Sequence, residues 1–188
     1  MTVVPAGTRV DYVVTYLEMT ERPGYDWPSL PVGHTAALLK ADDPPVWYFR
    51  ALYDAVGRDY SWEDMPKKPD SEIAGWLDAP TMHLWSLIDR GWPQGFFMLD
   101  EAQKDETDLA YFGLVPESVG SGLGSWLLRT AILTAWKRQG IARLTVNTCT
   151  LDHPRALQTY QKAGFRAVRR EERSRVLARD RDLTRIPD

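Results

Sequence analysis

Changes in the period of hydrophobic positions divide the chain into elements. Val10 to Met19 alternates in part and is rich in Val and Tyr, which predicts a first strand. Arg22 to Gly33 is broken by prolines and glycines and is expected to be irregular. Asp43-Pro44-Pro45 predicts a helix start, with Asp43 as cap and proline in the first turn. Val46, Phe49, Arg50, Leu52, Tyr53 and Val56 follow on that helix, and Gly57 can end it. Arg58 to Pro69 reads as a loop holding Tyr60 and Trp62, and Asp70 opens a shorter helix reaching about Leu77. Met82 to Ile88 and Phe96 to Leu99 read as strands joined across 89–95. Asp108 to Phe112 has the content of a buried strand. Trp126, Leu127, Ile132, Ala135 and Trp136 then recur at helical steps. Arg143 to Thr148 predicts a fifth strand, a helix follows around His153, and Phe165 to Val168 opens a sixth strand. The tail from Arg169 to Asp188, dense in Arg, Glu and Asp, reads as a solvated last element with a loose terminus.

Composition narrows the class. A chain of 188 residues with 44% hydrophobic and 26% charged residues suits one globular domain. A net charge of −3 gives no basic field for nucleic acid or an anionic membrane. The single cysteine, the absence of a basic or apolar leader in Met1 to Gly7 and the lack of a long apolar run are compatible with a cytoplasmic protein. His34, His83 and His153 are scattered without metal-ligand spacing, so no metal site is expected.

The most informative stretch runs from Gly113 to Ser125, G-L-V-P-E-S-V-G-S-G-L-G-S. Glycines between a strand and a helix let the backbone approach a ligand closely. Unpaired N–H groups and the positive end of the helix dipole then make a seat for phosphate. The spacing fits neither a dinucleotide fingerprint nor a nucleotide-triphosphate loop, which needs a lysine after its glycines. Val115-Pro116-Glu117-Ser118-Val119-Gly120-Ser121-Gly122-Leu123-Gly124 resembles the acetyl-CoA motif of the GCN5-related N-acetyltransferases (GNAT), V-P-E-x-R-G-x-G-x-G. Val119 stands where that family usually has Arg or Gln. His153 to Phe165 is similar to the family's later helix, N-x-R-A-x-x-x-Y-x-x-x-G-F, with His153 in the place of Asn.

The resemblance implies an α/β fold, a mixed and mostly antiparallel splayed sheet flanked by helices. It also implies one domain: an acceptor-side half over about 1–100, an acetyl-CoA half over about 101–170 and the charged tail from 171. Acetyl-CoA would be held by Leu114, Val115, Val119, Gly120, Ser121, Gly122, Leu123, Gly124, Ser125 and His153. The family splays a strand at a bulge, which would set the thioester beside Leu114, with backbone N–H groups near Leu114 and Val115 as oxyanion donors. Tyr160 takes the place of a hydroxyl that protonates the leaving thiolate; otherwise it packs the helix onto the sheet. With a strand period of two, Asp108 shares a face with Ala110, Phe112 and Leu114 and is the candidate general base, with Glu106 behind it. Cys149 is either a nucleophile or, as is commoner, a buried small hydrophobe.

The expected acceptor is a primary amine of a small molecule, with a peptide or protein amine second. Trp47, Tyr48, Phe49, Tyr53, Tyr60 and Trp62 are divided between core and pocket wall. A non-catalytic acetyl-CoA-binding module and an interaction domain, including a homodimer, are the other readings.

Overall fold

Alternating side chains in the central strands bury both faces of one sheet, because helices cover it on each side. The computed structural model describes residues 2–186; Met1, Pro187 and Asp188, the ends of the expected domain and tail, lie outside the described residues. The strands are β1 (Val3–Val4), β2 (Arg9–Met19), β3 (Ala37–Lys40), β4 (Met82–Asp89), β5 (Trp92–Asp100), β6 (Glu106–Leu114), β7 (Arg143–Cys149), β8 (Arg166–Val176) and β9 (Arg181–Asp182). The α-helices are α1 (Val46–Gly57), α2 (Asp70–Leu77), α3 (Leu123–Ala135) and α4 (Ala156–Lys162). Seven strands form the main sheet in the order β3-β4-β5-β6-β7-β2-β8, and β1 pairs with β9. Among the described residues, only β6 and β7 run parallel within it.

On β5, Phe96 and Met98 pack with Phe49, Leu52, Tyr53 and Val56 of α1 and Ile73 and Leu77 of α2. Their neighbours Phe97 and Leu99 face the other way, onto Leu127, Leu128, Ala131 and Ile132 of α3. Each such fully buried side chain contributes about 1.5–3 kcal/mol. No helix among the described residues is long and apolar enough to cross a membrane.

Two features of β6 shape the site. Its parallel pairing with β7 covers only Glu106↔Arg143, Thr107↔Leu144 and Asp108↔Thr145, after which the strands part. Its antiparallel register with β5 also slips, from Leu99↔Leu109 to Met98↔Tyr111. The extra residue resets the period: Leu109, Phe112 and Leu114 pack on the α3 side, but Ala110 and Tyr111 on the α1 side. Asp108 therefore does not share a face with Phe112 and Leu114, as a strict alternation requires. The bulge lies at Ala110, four residues before Leu114.

Other expectations are corrected. Strand β3 arises in a stretch without strand signal. Pro45, not Asp43, is the N-cap of α1, with no side-chain cap. Gly57 has φ −95° and runs straight into a 3-10 turn over Arg58–Tyr60. The α-helix does end at Gly57, as expected, and a Cβ there would lie 2.3 Å from the Trp62 ring, so close approach demands the glycine as well. Arg90 and Gly91, at φ 54° and 87°, make a two-residue hairpin turn. Strands β4 and β5 thus extend through most of the expected connection.

The tail is anchored. Strand β8 pairs along the length of β2. Arg181, 8% exposed, donates to Leu151 O at 2.7 Å and Ser61 Oγ at 3.0 Å. Arg179 reaches Asp54 at 3.0 Å, and the Ala178 N–H donates to Glu63 Oε1 at 2.9 Å.

Candidate active site

A cleft of about 750 Å³ opens where β6 and β7 part. Its walls come from β6, the glycine loop, the end of β7, the start of α4, the loop after α1 and the outer part of β2 and β8.

The glycine loop forms one wall. Gly120 and Gly122 have φ of 85° and 88°, a region that costs an L side chain about 1–2 kcal/mol. Gly122 is the N-cap of α3. The N–H groups of Gly120, Gly122, Gly124 and Ser125 have no protein acceptor among the described residues, and all four residues line the cleft. Those free donors, at the positive end of a 13-residue helix, fit a diphosphate.

Leu114, Val119, His153 and Tyr160 also line the cleft. Val115, Ser121 and Leu123 do not. Val115 is buried on the α1 side and its N–H donates to Gln94 O at 2.9 Å, so it is spent as an oxyanion donor. The Ser121 hydroxyl donates back to Ser118 O at 2.6 Å, and Leu123 has no exposed surface. Ser121 has a structural tie instead: His34 bridges its carbonyl, at 3.3 Å, to buried Asp89, at 2.6 Å. His34 thereby holds Asp89 below the usual carboxylate range.

Tyr160 is buried, with its ring edge-on to Phe112 and Phe165 at centroid distances of 6.1 and 5.9 Å. Its hydroxyl has no protein partner among the described residues. Burial, then the charges of Asp152 and Asp108, push its pKa up, so it keeps its proton throughout the neutral range. Asp108 sits at the crotch of the two strands, outside the cleft lining, and accepts from Thr145 Oγ1 at 2.7 Å. Burial raises its carboxyl to about 6, despite the opposing hydrogen bond from Thr145. Glu106 is ion-paired to Arg143. Burial pushes the Cys149 thiol up to about 11, which leaves little thiolate at neutral pH.

His153 Nδ1 accepts from the Arg155 N–H at 3.1 Å, while its Nε2 is buried without a partner. Burial and then Arg155 lower its pKa. Asp152 is not the cap of α4, which is Arg155. Its carboxylate instead accepts from Thr148 Oγ1 at 2.7 Å, Cys149 N at 2.8 Å and Trp62 Nε1 at 3.2 Å.

Asp64, Tyr111, Arg175 and Tyr12 line the cleft without having been singled out from the sequence as site residues. Asp64 follows Trp62 on the loop after α1, and its two oxygens accept from the Tyr53 and Tyr111 hydroxyls. Burial foremost raises both tyrosines, so they remain donors. The Trp62 and Tyr111 rings lie 5.3 Å apart. On the same cleft lining, Arg175 donates to Ser61 O at 2.6 Å and stands 5.0 Å from the Tyr12 ring centroid. These residues come from separate elements and share no spacing. Only the aromatic surplus near Tyr53 and Trp62 hinted at them.

A family model described as Acetyltransferase (GNAT) family matches residues 49–165. No curated protein matches the chain. Among solved structures, a GCN5-related N-acetyltransferase from Sphaerobacter thermophilus is similar, at 15% identity and a TM-score of 0.64, over 93% of this chain and 53% of that one. Another, from Kribbella flavida, has 17% identity and a TM-score of 0.57, over 92% and 59%. An aminoglycoside N-acetyltransferase, AAC(6')-Iy, in complex with CoA has 16% identity and a TM-score of 0.54, over 75% and 95%. The chain thus spans little more than half the length of the first two. At these identities the likeness carries the fold.

Proposed function

This chain belongs to the acetyltransferase (GNAT) family, and from that premise we propose that it moves an acetyl group from acetyl-CoA to a primary amine of a small molecule by direct attack. The observation that carries the reading is the row of free N–H groups at Gly120, Gly122, Gly124 and Ser125 beside the gap between β6 and β7. Similarity to a structure in complex with CoA and to aminoglycoside acetyltransferases supports the donor and the small-molecule amine.

Acetyl-CoA supplies the activated acetyl thioester: the amine nitrogen bonds to the carbonyl carbon, the C–S bond breaks, and the departing thiolate takes the second proton that the nitrogen gives up on becoming an amide. The glycine-loop amides bind its diphosphate, with the dipole of α3 behind them. Val119 gives up the side-chain phosphate contact that Arg or Gln could add, so the main chain carries the grip. Tyr160 Oη, protonated and otherwise unpartnered, donates a hydrogen bond toward the sulfur. Its raised pKa favours holding that proton in a shared bond over releasing it.

A free alkylamine is mostly protonated at neutral pH and must lose a proton before it can attack. Asp108, ionising near 6, takes that proton through a water, since its carboxylate lies outside the cleft lining. Arg143 engages Glu106 and leaves it unsuited to the task. Cys149 stays a thiol, so no acetyl-enzyme forms.

The test is thiol release from acetyl-CoA against a panel of small amines, run beside peptides with free amino groups. Release with small amines, weaker or absent with peptides, supports the reading. Tight acetyl-CoA binding with no release across the panel would identify a binding module instead.

A further inference from the structure

Among the charges on the cleft lining that the acetyl-transfer chemistry does not use, two of opposite sign are set on or against one loop. Asp64 is one. Its two oxygens each accept a tyrosine hydroxyl, which fixes the carboxylate and leaves a lone pair free on each oxygen. No Lys or Arg pairs with it among the described residues, although Lys67 and Glu63 approach each other nearby, at 4.0 Å. Trp62 and Tyr111 wall the same place, and their ring faces attract a cation. An un-neutralised carboxylate held this way beside aromatic rings is a seat for an ammonium group.

Arg175 is the other. Arg58 and Arg179 pair with Asp54, Arg143 with Glu106, Arg173 with Glu171 and Arg185 with Asp59. Arg175 has no carboxylate partner among the described residues. One amino group is spent on Ser61 O. The rest of a five-donor fork, shaped for a carboxylate, is left over on the cleft wall. The arginine that grips Ser61 is thereby held near the loop that carries Asp64. Three peptide links separate those residues, at most about 11 Å between Cα atoms. The loop is further pinned where Arg181 binds Ser61 Oγ at 3.0 Å.

We propose that the acceptor is an amino acid-like zwitterion on an apolar frame, its ammonium received by Asp64 and its carboxylate by Arg175. The proposal rests on the acetyl-transfer reading for its chemistry but makes its own claim about binding. The aromatic lining of Tyr12, Tyr60, Trp62 and Phe112 suits an apolar body beside or between the two charges.

The test is calorimetric titration into the full chain saturated with CoA. Phenylalanine, tryptophan, leucine and 4-aminobutyrate are each compared with the amine that lacks the carboxylate: phenethylamine, tryptamine, isopentylamine and propylamine. In at least one pair the amino acid is expected to bind tenfold or more tightly than its amine. Arg175→Met, which keeps the stem and removes the fork, abolishes that preference while the amine's own affinity holds; Arg175→Lys retains part of it. Parity within every pair in the unaltered protein, preference for the amines, or binding by no member overturns the proposal. So does an equal loss for both members in Arg175→Met, which would reduce Arg175 to a prop for the Ser61 loop. Thiol release is read separately on the same pairs. Discrimination without release would defeat acetyl transfer and leave the zwitterion seat standing.

Discussion

Asp108→Asn removes one ionisation and little else, because the amide oxygen can still accept from Thr145 Oγ1. The carboxyl is raised from its ordinary 3.8 to about 6 in the folded protein, chiefly by burial. At about 1.4 kcal/mol per pH unit, that gap corresponds to roughly 3 kcal/mol. The folded state holds the proton more tightly than the unfolded chain does. The associated stabilisation is therefore full below pH 3.8 and lost as pH rises through about 6. The asparagine variant has no such loss. Compared with the unaltered protein, it gains about 3 kcal/mol on going from pH 3.5 to 7.5, measured by urea denaturation at the two pH values.

Activity moves the opposite way. With Asp108 as base, kcat/KM rises tenfold per pH unit up to about 6 and then flattens. In Asp108→Asn it falls by about 100- to 10,000-fold. The break near 6 also disappears, leaving a slope that continues toward the acceptor's own pKa. A variant within threefold of the unaltered kcat/KM, with the break still present, would refute the assignment. Equal stability differences at the two pH values would refute the burial argument behind it.

Three further outcomes are expected. Tyr160→Phe keeps the ring packed on Phe112 and Phe165 and removes a hydroxyl with no protein partner. Stability changes by less than about 0.5 kcal/mol and acetyl-CoA affinity holds, while kcat falls about 100-fold; full activity contradicts the role. Gly122→Ala forces φ 88° on an alanine at the N-cap of α3, at about 1–2 kcal/mol. Calorimetry should show acetyl-CoA binding at least tenfold weaker, and unchanged affinity with unchanged Tm contradicts the loop's role. Arg181→Met leaves Leu151 O and Ser61 Oγ without their donor and costs about 2–4 kcal/mol in urea denaturation; a loss under about 0.5 kcal/mol contradicts the anchoring role.

Legibility in the sequence followed locality. The glycine loop is one run of chain between a strand and a helix, so its residue types state its geometry directly. The central strands and α1 to α3 were legible because they bury residues on the sheet's two faces or on one helix face. Only the opening of β8, expected over Phe165 to Val168, was legible; the rest was hidden because all but two of the strand's residues are exposed and it is held by backbone pairing to β2, which leaves no hydrophobic alternation. Strand β3 is four residues at the sheet edge and gives too short a pattern. The bulge at Ala110 leaves no mark in composition, yet it decides which way Asp108 and Phe112 face. Asp64, Tyr111 and Arg175 come to one cleft from widely separated segments, which no spacing rule encodes. Arg181 reads as a solvated charge because the carbonyl and hydroxyl that receive it lie 30 and 120 residues away.

Acetyl transfer as proposed requires main-chain amides at the start of α3 to grip a diphosphate. A crystal of the chain soaked in acetyl-CoA tests it most directly. Diphosphate oxygens are expected about 2.7–3.2 Å from the N atoms of Gly120, Gly122, Gly124 and Ser125, with the acetyl arm running between β6 and β7. A difference map that leaves those amides bare, with the ligand lodged elsewhere or not taken up, would contradict it.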